Sequence, residues 1–232
     1  MTTTVVAPAP VSAEPAPQHR GILALRLPDE WELTDEQLEH LCQLNPEWKL
    51  ERGHFGELVV SMGSGGPSWV ITLELAAALL VWAKTKGGIV GGADASFNVV
   101  DPHGGAPMRN PDVCWLGDEQ LDEIGGAIPW RGFWPVCPAF VIEVRSPNDN
   151  LRPQQGRMID WLRFGAQLGW LVDPQNRDVW IYRPEQEPEW LDRPSAVEGE
   201  APIDGFSFDF EPIWALVDQA EAAAADEAAQ AK

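Results

Sequence analysis

The sequence predicts an α+β protein with an α/β core, a mixed central sheet flanked by helices. Helical apolar stripes occur twice in the first half, five β-branched or aromatic runs follow, and one helical stretch over 153–164 separates the third of those runs from the fourth.

Residues 1–19 are Pro/Ala-rich and cannot bury enough apolar surface to offset the entropy of ordering, so they are expected to be a disordered leader. In "LTDEQLEHLCQLN", Thr34 is a helix N-cap with Gln37 three residues on, and Leu38, Leu41 and Leu44 form one stripe. "WKLERGHFGELVVSMG" is a hairpin turning near 53–56, and a helix follows over 68–84. "ASFNVV", "DVCWL", "AFVIEV", "GWLVD" and "VWIYR" are strands. Residues 125–138 form a loop or lid whose Trp130 and Trp134 are candidates for nucleobase contact, whereas Trp161, Trp170 and Trp180 sit in periodic runs and belong to the core. The end, "DQAEAAAADEAAQAK", is an Ala-rich helix former with little apolar face. This divides the chain into a leader (1–19), one domain (20–194) and an acidic C-terminal extension (195–232).

Composition narrows the function classes. The chain of 232 residues is 44% hydrophobic, as in a soluble globular protein, and no apolar run approaches the ~20 residues of a membrane span. The first 18 residues lack Lys and Arg and are interrupted by four prolines, so they read as no secretory signal, and a cytoplasmic location is expected. Cys42, Cys114 and Cys137 lack C-x-x-C spacing, against a disulfide framework and against zinc. A net charge of −20 disfavours DNA as a partner, because duplex binding draws on Lys and Arg. Part of that charge is local: residues 195–232 hold nine acidic residues and one basic, away from any central cleft.

The chemistry-bearing residues lie in the strands. "FVIEVRSPND" carries Glu143 and Arg145 two apart in an apolar run, hence on the same face, as a structural ion pair or part of a catalytic constellation. "NPDVCWL" puts Asp112 after Pro111 at a strand start, where a turn residue is the plain reading. Glu74 interrupts the helical series Val70, Ala77, Val81, and a carboxylate reaching the surface is its plain reading. Arg157 shares a stripe with Trp161 and Phe164, where stacking on an aromatic face competes with a role in a site. His103, in a Gly-rich turn without a partner histidine, reads as a solvated loop residue.

Pro-Asp, an interval, then Glu-x-Arg resembles the PD-(D/E)XK nuclease superfamily. The ordered set "NPDVCWL", "FVIEVRSPNDNL", "RMIDWLRFGAQLGWLVDP" and "DVWIYRP" resembles the Uma-type restriction endonuclease family over roughly residues 33–184. The resemblance implies a restriction-endonuclease-like fold and a hydrolase, an endonuclease that cleaves DNA phosphodiester bonds with a metal-activated water. It also implies Mg²⁺ or Mn²⁺ as cofactor, with Asp112 and Glu143 as ligands, oxygen donors that suit a hard cation. Glu74 aligns with an acid that related nucleases supply from their first helix, Arg145 stands where the superfamily has Lys, and Arg157 stands where family members often have a helical Lys. Arginine keeps its proton, so these positions retain an electrostatic role and lose a proton-transfer role. The alternative implied by the same departures is a catalytically degenerate nuclease-fold protein acting as an interaction module. A homodimer is compatible with either.

Overall fold

The computed structural model describes residues 23–230 apart from 29–30, 32, 46–47, 63–65, 103–104, 106, 127, 130–131 and 148. The leader, His103 and Trp130 lie outside the described residues.

The first layer grows from the capped helix. In α1 (Asp35–Leu44), Gln37 N donates to Thr34 Oγ1 at 3.3 Å and Thr34 N donates to Gln37 Oε1 at 3.0 Å, the reciprocal bonds expected from the sequence. The hairpin also forms. β2 (Trp48–Arg52) pairs antiparallel with β3 (Leu58–Met62), and Gly53 N donates to Glu57 O at 2.7 Å across the turn. These strands belong to a five-stranded sheet completed by β1 (Leu23–Leu25), β5 (Phe97–Asn98) and β6 (Met108–Arg109), in the order β1-β3-β2-β6-β5. Strand alternation divides β2: Leu50 packs with Leu38 and Met108, and Arg52 bonds Leu33 O and Asp35, so Lys49 and Glu51 take the other face.

The second sheet holds the main core. Its order is β11 (Glu189–Asp192), β10 (Asp178–Tyr182), β9 (Leu168–Asp173), β8 (Phe140–Val144), β7 (Val113–Leu116) and β4 (Ile89–Gly92). Within this sheet, among the described residues, only β8 and β9 pair in parallel; the short α3 (Asp118–Glu123) follows β7, and α4 (Leu151–Arg163) supplies the crossover that a parallel pair requires. On one face α2 (Ser68–Lys86) buries Ile71, Leu75, Leu79 and Ala83 in one cluster with Phe140, Ile142 and Val144. On the other, α4 buries Met158 and Trp161 in a cluster with Val141 and Leu171. By the same alternation Glu143 faces α4.

Several expectations are revised. By length and composition α2 is apolar enough to cross a membrane, contrary to the sequence reading; here its buried stripe packs on the sheet. The long tail helix, α5 (Glu211–Gln230), begins earlier than the Ala-rich run and buries Ile213, Trp214 and Val217. With the hairpin of β12 (Ala196–Glu198) and β13 (Ser207–Asp209), and with Phe206, Phe208 and Phe210, it enters the same core as β8 and β9. The stretch after residue 194 is therefore joined to the domain by apolar burial, which its acidic composition conceals. Trp134 is half-buried beside Phe97, with ring centroids 6.2 Å apart, and serves that packing.

Candidate active site

β7 and β8 run antiparallel in the register Val113↔Ile142, and Asp112 is the residue that leads into β7. Asp112 Oδ2 accepts from Val144 N at 2.8 Å, which ties this carboxylate to the end of β8. Glu143 is buried, and its Oε1 accepts from Arg157 Nε at 2.8 Å and from Trp161 Nε1 at 2.7 Å. The partner of Glu143 is thus Arg157. Trp161, four residues further along α4, binds the same glutamate rather than simply carrying the arginine on its ring face.

Arg157 is engaged from several directions. Its two terminal nitrogens donate to the two carboxylate oxygens of Glu51, each at 2.6 Å, and Nη2 also donates to Asn110 O at 2.7 Å. Asn110 N donates to Glu51 Oε1 at 2.8 Å, closing the network onto the segment that leads into Asp112. Lys49, on the same face of β2 as Glu51, puts Nζ 3.7 Å from Asp112 Oδ1. Among the described residues the site therefore brings together three carboxylates (Glu51, Asp112, Glu143) and three cations: Lys49, Arg157 and, through its charge on Glu51, Arg109.

Two expected members stand elsewhere. Arg145 donates from Nη1 to Asp173 Oδ2 at 2.7 Å and from Nε to Asp149 O at 3.1 Å. Its amide still donates to Val172 O at 2.9 Å, continuing the β8–β9 ladder, and its guanidinium is taken up by Asp173 rather than by Glu143. Glu74 is exposed on α2, which covers the sheet face opposite α4; the stripe that matters in that helix is Ile71, Leu75, Leu79. Lys49, Glu51 and Asn110 were not singled out from the sequence. The signal was present in "WKLER", where two charges alternate with Leu50 in a hairpin strand.

The electrostatics separate the two buried glutamates. Burial raises the Glu51 carboxyl, yet the charge and two hydrogen bonds of Arg157 outweigh it and bring the pKa down to about 2. Glu143 moves the other way: burial raises it, the nearby charge of Asp112 adds to this, and the attraction of Arg157 does not compensate. Arg157, despite burial, is held firmly protonated by Glu143 and Glu51.

An all-oxygen donor pair on adjacent strands suits a hard divalent ion, and such ions bind through one or two carboxylates with substrate oxygens completing the shell. Asp112 and Glu143 fit that pattern, with Asp112 tied to the Val144 amide beside Glu143. They do not make a closed cage. Among the described residues no group of three His, Cys, Asp or Glu side chains is arranged to hold a metal, and Arg157 bridges two of the carboxylates.

Mixed sheets flanked by helices define an α+β domain. The family model described as "Putative restriction endonuclease", Uma2, matches residues 35–211, and the chain belongs to the Uma2 family. The match runs past residue 194, in keeping with the burial of the segment beyond it. A solved structure from Anabaena variabilis, described as "a putative nuclease belonging to DUF820", superposes with a TM-score of 0.60 at 19% identity, covering 72% of this chain and 90% of that one. At that identity the likeness concerns the fold. No curated protein matches the chain.

Proposed function

We propose that this Uma2-family chain is an endonuclease that hydrolyses DNA phosphodiester bonds with Mg²⁺ or Mn²⁺. The observation that carries the reading is the hydrogen bond that ties Asp112 to the Val144 amide, the residue next to Glu143 at the end of β8. A divalent ion held there would acidify a water and offset charge on the phosphoryl oxygens. The chain's own contribution is rigidity: β8 is central in its sheet, Trp161 orients Glu143, and the Val144 amide orients Asp112.

The test is nicking of plasmid DNA over a range of Mg²⁺ and Mn²⁺, with Asp112→Asn and Glu143→Gln as paired variants. Metal-dependent nicking by the wild type that both variants abolish supports the reading; no nicking by folded wild type at any metal concentration rejects it. One observation favours a second reading, a degenerate nuclease fold that serves as an interaction module: Arg157 already neutralises Glu51 and bonds Glu143. Absence of both nicking and metal binding would favour that alternative.

A further inference from the structure

We propose that Lys49 is the substrate-facing cation of this site, the group that meets a phosphodiester oxygen, in the place the motif assigns to Arg145. The proposal rests on the nuclease reading above and identifies a residue that the motif does not contain.

Four cations come into question among the described residues, and the structure discriminates among them. Arg109, 10% exposed, donates from Nη1 to Arg52 O and pairs with Asp160. Arg145 is committed to Asp173, whose carboxylate is fully buried, and to Asp149 O. Arg157 uses Nε and both terminal nitrogens in four hydrogen bonds to Glu143, Glu51 and Asn110 O, so a phosphate could recruit it only by breaking a buried network. Lys49 differs from all three. Its 3.7 Å approach to Asp112 is an ion pair too long for a hydrogen bond, and Nζ has no hydrogen-bond acceptor among the described residues.

Accessibility points the same way. The side chains of Glu51 and Glu143 are 4% exposed and form the floor; Arg157 is 13% exposed, Asp112 15% and Lys49 24%. An anion arriving from solvent therefore meets Lys49 and Asp112 first. Lys49 lies in β2, paired on one side with β3 through Lys49↔Ser61, so its backbone is fixed while the four-carbon stem lets the ammonium turn from Asp112 to a ligand.

Charge counting shows why this cation matters. Glu51, Asp112 and Glu143 face Lys49, Arg157 and Arg109, the last through its charge on Glu51, a formal balance of zero. Without Lys49 the balance becomes −1, at the mouth of a site that must admit a polyanion. The ammonium offsets Asp112 for an approaching phosphate oxygen without leaving any buried carboxylate unpaired.

The experiment measures binding of a short DNA duplex to the full chain in Mg²⁺ by fluorescence anisotropy across a salt series, with nicking rates and melting temperatures in parallel. Lys49→Met should weaken binding about tenfold and reduce the slope of log affinity against log salt by about one phosphate contact. Lys49→Arg should restore most of the binding. Lys86→Met, at the exposed end of α2, should leave the slope unchanged. A folded Lys49→Met with wild-type affinity and slope overturns the role of Lys49 while nicking by the same protein leaves the nuclease reading intact. Wild type that neither binds nor nicks the DNA overturns both.

Discussion

Arg157 grips Glu51 with a pair of 2.6 Å hydrogen bonds across 106 residues of sequence. The contact joins α4 of one sheet layer to β2 of the other, and Nε of the same guanidinium holds Glu143 in the centre of the second sheet. One side chain thus fixes two layers relative to the acidic pair.

Removing that cation should cost more than an ordinary core substitution. Arg157→Leu leaves Glu51 and Glu143 buried without their counter-charge, and a loss of roughly 3–5 kcal/mol in urea unfolding is expected. Arg157→Lys keeps the charge but cannot reproduce the fork to Glu51, so an intermediate loss is expected. A wild-type midpoint for Arg157→Leu would contradict the assignment.

The same pair sets a pH dependence with a definite sign. Glu51 has its carboxyl depressed from 4.5 to about 2, so the ionised form is favoured by folding. Its stabilisation is fully present above the unfolded pKa and is lost as pH falls from about 4.5 towards 2, an effect of order 3 kcal/mol. Glu143, raised by burial, runs in the opposite sense and is relieved as it protonates. Unfolding curves of wild type and Glu51→Gln should therefore converge as pH falls through that window. A gap that stays constant from pH 6 to pH 2.5 would remove Arg157 as the cause.

Asp112 offers a separation of structure from chemistry. Asparagine keeps an oxygen acceptor for the Val144 amide, so Asp112→Asn should unfold close to wild type, whereas Asp112→Ala orphans that amide at a cost of about 1–3 kcal/mol. Both should lose divalent-metal binding by calorimetry, because the carboxylate charge is gone from each. Retention of metal affinity by Asp112→Asn would move the ion elsewhere.

The sequence exposed those features that depend on local pattern. Thr34 and Gln37 announce the cap of α1, and the alternation in "AFVIEV" announces β8 and the inward side of Glu143. The first half of the site, Asp112 and Glu143, comes from two strand motifs of this kind. The second half depends on pairings that no local pattern specifies. Glu51 meets Arg157 only once the two sheets are stacked, and Lys49 meets Asp112 only when the fold brings β2 to the segment leading into β7. Arg145 follows the last strand pair, Val144↔Val172, and its side chain goes to Asp173, a partner 28 residues on that no local pattern specifies. The tail was read from its charge, although Phe206, Phe208, Phe210 and Trp214 carry the apolar burial that docks it.

Arg145 supplies the sharpest contrast between motif and structure. If the motif position decided function, Arg145→Lys would restore a missing amine and raise a metal-dependent rate. The structure gives a different expectation, because Arg145 spans from Asp173 to Asp149 O and has no hydrogen bond or ion pair with Asp112, Glu143 or Glu51 among the described residues. Arg145→Lys should leave the nicking rate within about twofold of wild type, since one lysine cannot reach the other site without abandoning a fully buried carboxylate. Arg145→Met should lower stability by roughly 3 kcal/mol, the low end for a broken buried pair, because Asp173 still accepts from Asn176 and from the Gln175 amide. Nicking and urea midpoints on the same preparations decide the matter. A rate that rises severalfold in Arg145→Lys, with stability unchanged in Arg145→Met, would return Arg145 to the active site and take the cation's role away from Lys49.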